Sequence, residues 1–389
     1  MAHFGDYQNH IYLRGLGGER IDLPLTADEL EHAAHGAMSA AAYAYVAGGA
    51  GTERTMRANR AAFERWRLVP RMLREVTERD LSVTVLGTPL AAPILLAPIG
   101  VTGMVHPDGE RAPARAAGTF GLASVLSTAA SVSMEEVAEA APDAARWFQL
   151  YWPKDPELAE SLVRRAEKSG YRAIVVTVDT WALAWRPRDL ALGHLPFLRG
   201  EGLGNYLSDP VFRSRLPQPP EAGEEAMQAA ILTWVGLFGN PALSWKDLAR
   251  LREWTDLPVL VKGVCHPDDA RAALDAGADG VVVSNHGGRQ VDGARAALDC
   301  LVDVADALAG RGTVLFDSGI RCGADVAVAL ALGADAVLLG RPWVYGLALA
   351  GQAGVEHVLR CLLAELDLTL ALSGYRTPAE LDRSAVVRD

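Results

Sequence analysis

The chain has 389 residues, half of them hydrophobic, and a formal net charge of −11. That charge argues against a nucleic-acid partner, which needs a basic face, and no stretch reaches the roughly 18 uncharged apolar residues of a membrane span. The four cysteines (Cys265, Cys300, Cys322, Cys361) are too scattered for metal-type pairing and read as buried or incidental thiols. The opening run Met1-Ala2-His3-Phe4-Gly5-Asp6 lacks the basic start and apolar core of a secretory leader, so the expectation is a cytoplasmic protein.

Residues 1–90 carry helix patterns, including Thr26 to Ala47, and an Arg-rich stretch from Arg54 to Arg74. From about residue 90, eight short apolar runs alternate with helical patterns. The runs are Ile94 to Ala97, Leu122 to Leu126, Trp147 to Leu150, Ile174 to Val178, Val259 to Val261, Val281 to Val283, Val314 to Phe316 and Ala336 to Leu339. Their β-branched and Leu content suits strands buried on both faces. Helices open at Ser133-Met134-Glu135-Glu136, at Asp155-Pro156-Glu157 and at His266-Pro267-Asp268, each with a capping residue followed by acid or proline. Strand–helix repetition on this scale predicts an α/β fold closed as a (β/α)8 TIM barrel. The whole of 1–389 reads as one domain, with 1–90 as an N-terminal helical extension. Residues 190–242, rich in Gly and Pro, interrupt the repeat after the fourth strand and are expected to form a lid over the site.

Barrel chemistry gathers at the C-terminal ends of the strands. Here those ends carry Pro98-Ile99-Gly100, Ser127-Thr128, Gln149 with Tyr151, Thr177 with Asp179, Lys262, Ser284-Asn285-His286-Gly287-Gly288-Arg289, Asp317-Ser318-Gly319-Ile320-Arg321 and Gly340-Arg341. A ring of polar groups of this kind converges on one cavity. The last two clusters suit a phosphate, with glycine backbone, two arginines and a helix starting after Gly323. Lys262, ending an apolar strand, calls for an anionic partner. His286 is the candidate base, paired with Asp179 two strands away, a carboxylate expected to raise the imidazole pKa. Arg289 and Arg186 offer contacts to a carboxylate.

Ser284-Asn285-His286-Gly287-Gly288-Arg289-Gln290 resembles the signature of the FMN-dependent L-2-hydroxy-acid oxidases and dehydrogenases. Supporting matches run from Tyr45 to Arg341, through Phe148-Gln149-Leu150-Tyr151, Thr177-Val178-Asp179-Thr180, Lys262-Gly263 and Asp317-Ser318-Gly319-Ile320-Arg321. The resemblance implies FMN as cofactor, a small 2-hydroxy acid as substrate, O2 as the acceptor and a homo-oligomer, tetramer or octamer. Carried over by position, His286 is the base, supported by Asp179. Arg289, Arg186 and Tyr45 hold the substrate carboxylate, and Tyr151 lies near its hydroxyl. Lys262 stabilises charge on the flavin. Ser127, Gln149, Thr177, Ser284 and the Pro98-Ile99-Gly100 turn contact ring or ribityl chain. Asp317 binds ribityl hydroxyls, and Gly319, Arg321, Gly340 and Arg341 surround the phosphate.

Within that family the sequence looks most like lactate 2-monooxygenase, through Leu195-Pro196-Phe197-Leu198-Arg199-Gly200, Tyr206 to Phe212 and Asn240-Pro241 in the insertion. Ser318 also matches that branch, since other members often read Asp-Gly-Gly there. Ala129 stands where glycolate oxidase carries a tryptophan. Trp181, Ala182, Ala184 and Trp185 depart from the usual residues before Arg186, which leaves side-chain preference open. The alternatives are an oxidase releasing keto acid and H2O2, acting on a larger or aryl acid, and a non-redox FMN barrel isomerase. No Gly-x-Gly-x-x-Gly turn follows a strand, which speaks against a nicotinamide enzyme.

Overall fold

The computed structural model describes residues 3–389, so Met1 and Ala2 of the leader reading lie outside the described residues. Eight parallel strands close into a barrel: β1 (Ile94–Leu96), β2 (Ala123–Ser127), β3 (Ala145–Leu150), β4 (Ile174–Thr177), β5 (Val259–Val264), β6 (Gly280–Val283), β7 (Thr313–Phe316) and β8 (Ala336–Leu339). β8 pairs with β1 in the register Val337↔Ile94, which shuts the cylinder. All eight expected strands are present, Ala336–Leu339 with the expected bounds and the others with an end moved by up to three residues.

The period-2 alternation of a strand sorts each one into two faces. One set of side chains, including Ile94, Phe148, Val176, Val261, Val283 and Phe316, packs outward against the helices. The other, including Leu95, Val125, Trp147, Val175, Leu260, Val282, Leu315 and Leu338, fills the interior as a separate apolar layer. Residues Val83–Val85 and Thr88–Leu90 form an antiparallel hairpin whose Val85 and Leu90 join that layer. Thr88 accepts a hydrogen bond from the Trp147 indole at 3.1 Å, so the hairpin stoppers the N-terminal mouth.

The helix starts follow their caps. Ser133 Oγ accepts from Glu136 N, and Glu136 returns a bond to Ser133 N at 3.1 Å. Asp155 accepts from Glu157 N at 3.0 Å with Pro156 in the first turn, and the His266 ring accepts from Asp268 N at 3.1 Å. Gly277 and Gly333 both adopt positive φ after a helix. In each unit the aspartate two residues later accepts from the strand that precedes the helix, Asp279 from Val259 N (2.7 Å) and Asp335 from Val314 N (2.8 Å).

The N-terminal pattern Thr26 to Ala47 is two helices, Ala27–Ala37 and Ala40–Ala47. Met38 is extended and Ser39 recaps the chain by accepting from Ala42 N, a competing local hydrogen bond that stops the first helix. Trp66–Leu68 pairs antiparallel with Val386–Arg388 at the other end of the sequence. The insertion is ordered into short helices and one long one, Glu224–Leu237. No helix among the described residues is long and apolar enough to cross a membrane.

Candidate active site at the C-terminal mouth of the barrel

Two residues beyond each member of the inner apolar layer, the same alternation points the next side chain inward at the mouth. Those positions are Ala97, Ser127, Gln149, Thr177, Lys262, Ser284, Asp317 and Gly340. The ring is therefore the top layer of the barrel interior, and its Ala97, Ser127, Lys262, Asp317 and Gly340 line a cleft of about 1010 Å³ measured with its open mouth. Tyr45, Pro98, Ile99, Gly100, Ser127, Tyr151, Arg186, Lys262, His286, Arg289, Asp317, Gly319, Arg321, Gly340 and Arg341 all line it. Gln149, Thr177, Asp179 and Ser284 do not line the cleft. Gln149 accepts from Ser127 Oγ at 3.0 Å, and Asp179 and Ser284 bond directly to the lining residues His286 and Lys262.

His286 leaves β6 on a left-handed turn, with φ of 57° at His286, 64° at Gly287 and 75° at Gly288. A Cβ at Gly288 would lie 2.5 Å from Met56 N, so only glycine lets the N-terminal helix Arg54–Glu64 pack against this turn. Asn59 on that helix and Asn285 exchange amide hydrogen bonds of 2.7 and 2.8 Å. His286 Nδ1 is 2.8 Å from Asp179 Oδ1, and the Thr180 hydroxyl donates to the same oxygen at 2.8 Å. Gly263 makes room for this, because a Cβ there would lie 2.7 Å from the Asp179 Cβ.

Burial alone would raise the Asp179 carboxyl, but His286, Lys262 and Thr180 together hold it down at about 2. Burial pushes the His286 imidazole below its ordinary value, and Lys262 and Arg186 add to the fall. The expected upward pull of Asp179 is present and is outweighed, which corrects the sequence expectation. Desolvation of the cation is the larger effect.

Lys262 is 4 % exposed and satisfied within the protein, bonding Ser284 Oγ at 2.8 Å and pairing with Asp317 Oδ2 at 3.0 Å. Ser284 Oγ donates to Asp317 Oδ1 at 2.6 Å. Burial opposes its charge, yet Asp317 and Asp179 leave the Lys262 ammonium above its ordinary pKa. Three atoms near this ring are left without partners: Gln149 Nε2, Thr177 Oγ1 and Asp179 Oδ2. Orphaned polar atoms of this kind mark a place for a polar molecule rather than an apolar one.

Arginines supply the cleft's positive charge. Arg289 donates to the Tyr45 carbonyl and to Gly48 O (2.9 Å), with its guanidinium 5.1 Å above the Tyr45 ring. Arg186 bonds Gln290 Oε1 at 2.8 Å. Arg341 reaches three carbonyls, of Val46, Gly287 and Gly48, at 3.0 to 3.1 Å. None of these bonds is to a carboxylate. Burial, with repulsion from Arg186, lowers the Arg289 pKa to about 9, and burial with Arg341 lowers Arg321 to about 10. The helix Gly323–Ala331 offers less to a phosphate than its position suggests, because Gly323 N donates to Glu365 at 3.0 Å and Arg321 N to Asp325 at 2.9 Å. Burial, with Asp325 and Glu365, pushes the Cys322 thiol up to about 12, which favours the protonated thiol over the nucleophilic thiolate.

The insertion forms one wall. Phe197 and Phe238 line the cleft, and Trp234 packs against both at 4.8 and 4.7 Å between ring centroids. Phe197 meets the Tyr45 ring edge-on at 6.5 Å, and Phe238 meets Tyr151 at 5.6 Å. Asn205, fully buried, ties the insertion to β2 by donating to Ser127 O (3.1 Å) and Thr128 O (3.2 Å). Thr180, Leu183, Phe197, Phe238 and Ser318 were not assigned roles from sequence. Thr180 adjoins Asp179 and was within reach of a motif reading; Phe197 lies in a run that carries the resemblance, but nothing in the sequence pairs it with Phe238 at the other end of an irregular segment.

A family model described as FMN-dependent dehydrogenase matches residues 34–388. The FMN-dependent alpha-hydroxy acid dehydrogenase qulF of Penicillium citrinum is 44% identical over 388 residues, covering 100% of this chain and 96% of that protein. The L-lactate oxidase of Lysinibacillus sphaericus is 44% identical over 351 residues, 90% of this chain and 89% of its own. A crystal structure of mandelate oxidase superposes with a TM-score of 0.81 at 38% identity, over 94% of this chain and 98% of that one. The barrel, its polar mouth and these likenesses agree that the chain belongs to the FMN-dependent dehydrogenase family and is an FMN-dependent alpha-hydroxy acid oxidoreductase.

Proposed function

We propose that the cleft oxidises L-lactate with O2 as acceptor and that the insertion retains the products, so that acetate, CO2 and water leave. The observation that carries the oxidation is the His286–Asp179 pair at 2.8 Å, opening into the same cleft as two guanidiniums bonded to no carboxylate. With Asp179 ionised and accepting a hydrogen bond from Nδ1–H, the Nε2 lone pair of His286 accepts a proton from the substrate's carbinol centre. Arg289 and Arg186, with Tyr45, hold the substrate carboxylate, and Tyr151 bonds near the hydroxyl. Burial and then Asp179 raise the Tyr151 phenol, which keeps it a neutral hydrogen-bond donor.

The chain's own groups fit FMN. The orphaned Gln149 and Thr177 atoms, with Ser127, Ser284 and the Pro98-Ile99-Gly100 turn, suit a ring edge and ribityl chain. Lys262 would oppose negative charge on the ring, Asp317 would take ribityl hydroxyls, and Gly319, Arg321, Gly340 and Arg341 would surround a phosphate. Bound there, FMN supplies the two-electron redox chemistry, and the protein supplies position and charge. Phe197, Trp234 and Phe238 wall off the site, which favours reaction of pyruvate with H2O2 to acetate, CO2 and water before either escapes.

The second reading is an oxidase that releases the keto acid and H2O2, on a larger or aryl acid. It is favoured by the apolar wall of Ala129, Leu183, Phe197 and Phe238. We further propose a cytoplasmic homo-oligomer, supported by the exposed Trp181, Trp185 and Leu190. The deciding experiment is the anaerobic visible spectrum before and after L-lactate, followed by oxygen and assay of acetate against pyruvate plus peroxide. Bleaching and acetate are expected. A flavin that bleaches only with an aryl acid supports the second reading, and a flavin that no 2-hydroxy acid bleaches overturns both.

A further inference from the structure

The residue after Asp317 sits in a conformation that its side chain disfavours. Ser318 has φ of 81°, in the left-handed region where glycine is at ease and other residues are strained. It is 7 % exposed, and its hydroxyl makes every hydrogen bond a hydroxyl offers. It donates to Asp317 Oδ1 at 2.7 Å, and it accepts from Gly287 N at 2.9 Å and from Asn285 N at 3.3 Å. The amide between those two, His286 N, donates to Ser284 Oγ at 3.1 Å. Three consecutive amides of the turn that carries the base thus end on two hydroxyls, and both hydroxyls donate to the same oxygen of Asp317. The other oxygen of that carboxylate holds Lys262.

We infer that Ser318 is a positioning residue: its hydroxyl fastens the left-handed turn bearing His286 to the Asp317–Lys262 pair, so that base and buried ammonium keep a fixed relation. The inference rests on the proposed role of His286 as base. The strained backbone is maintained because the hydroxyl must reach two amides and a carboxylate at once. Ser318 acts through the turn, not on the substrate.

The test uses the flavin-loaded enzyme with Ser318→Gly and Ser318→Ala. Glycine removes the hydroxyl and relieves the backbone, so loss of folding does not confound it; alanine removes the hydroxyl and keeps the strain. Both variants are expected to show faster amide exchange confined to residues 284–290, and flavin reduction at saturating acid slowed about tenfold or more. KM should change less than the rate, since Arg186 and Tyr45 lie off the turn and the Arg289 guanidinium is also held by the Tyr45 and Gly48 carbonyls. Wild-type exchange in 284–290 overturns the assignment. So does a defect in Ser318→Ala alone, which would blame strain, or a loss of protection spread over the whole chain, which would make the role merely structural. If no 2-hydroxy acid bleaches the wild-type flavin, the proposed function fails, and the exchange measurement still decides the role of Ser318.

Discussion

At the residue scale, the pair His286–Asp179 sets the pH behaviour. His286 works as a base only when neutral, and its pKa is pushed below the ordinary value near 6.5. Asp179, held at about 2, stays ionised throughout the range where the imidazole titrates. The rate of flavin reduction should therefore fall on the acid side with a midpoint below pH 6.5 and stay flat through neutrality. A midpoint above 7 in stopped-flow reduction would contradict this assignment. Replacing the base, His286→Gln, should cost about 10²–10⁴-fold in that rate while flavin content holds, because His286 lies among the substrate groups and not in the proposed phosphate loops. The identities of these residues were legible in the sequence, since Lys262 stands where strand alternation demands an inward side chain and His286 and Arg289 stand in a polar, glycine-rich cluster just past a strand end. What was not legible was the balance of forces on them. Sequence places a carboxylate near an imidazole, but only packing shows that desolvation outweighs it.

At the scale of elements, eight apolar runs of three to five residues sufficed to foresee the barrel, because strands buried on both faces leave little ambiguity. The Thr26 to Ala47 stretch misled because its apolar pattern continues through Met38 and Ser39, where a side-chain cap breaks the helix locally. The insertion is read as a lid from its place after β4; the structure shows it as a wall of the cleft, whose Phe197 and Phe238 meet only in the folded chain. Shortening residues 200–235 should convert acetate and CO2 into pyruvate and H2O2, measured by product assay. Unchanged products would remove the insertion from the chemistry. Because that segment carries the buried Asn205, Tyr206 and Phe212, a milder variant is needed beside it. Trp234→Ala, at a stability cost of about 3–5 kcal/mol, should release a detectable fraction of peroxide by loosening the aromatic stack.

Across the whole molecule, charge is divided unevenly. The net charge is −11, yet Arg186, Lys262, Arg289, Arg321 and Arg341 gather around one cleft. A small anion finds there what a polyanion would not find on the rest of the surface. The loop from Trp181 to Leu192 exposes two tryptophans and several leucines, with Trp185 73 % accessible. Light scattering of the purified protein should give four or eight times the 41.4 kDa of one chain. A single-chain mass would leave that surface in need of another explanation. Association of copies is a matter of surfaces that no strand or helix pattern encodes, which is why the sequence pointed to it only by likeness.

The pairing of Trp66–Leu68 with Val386–Arg388 also bears on the timing of synthesis. Its two partners stand more than three hundred positions apart, so a chain not yet made as far as Val386 cannot make the clasp. The segment that presents Tyr45 is likewise tied down by Arg289 and Arg341, which emerge late. The segment carrying Tyr45, made before any barrel strand, therefore waits for chain made after β8 before it is fully held in place.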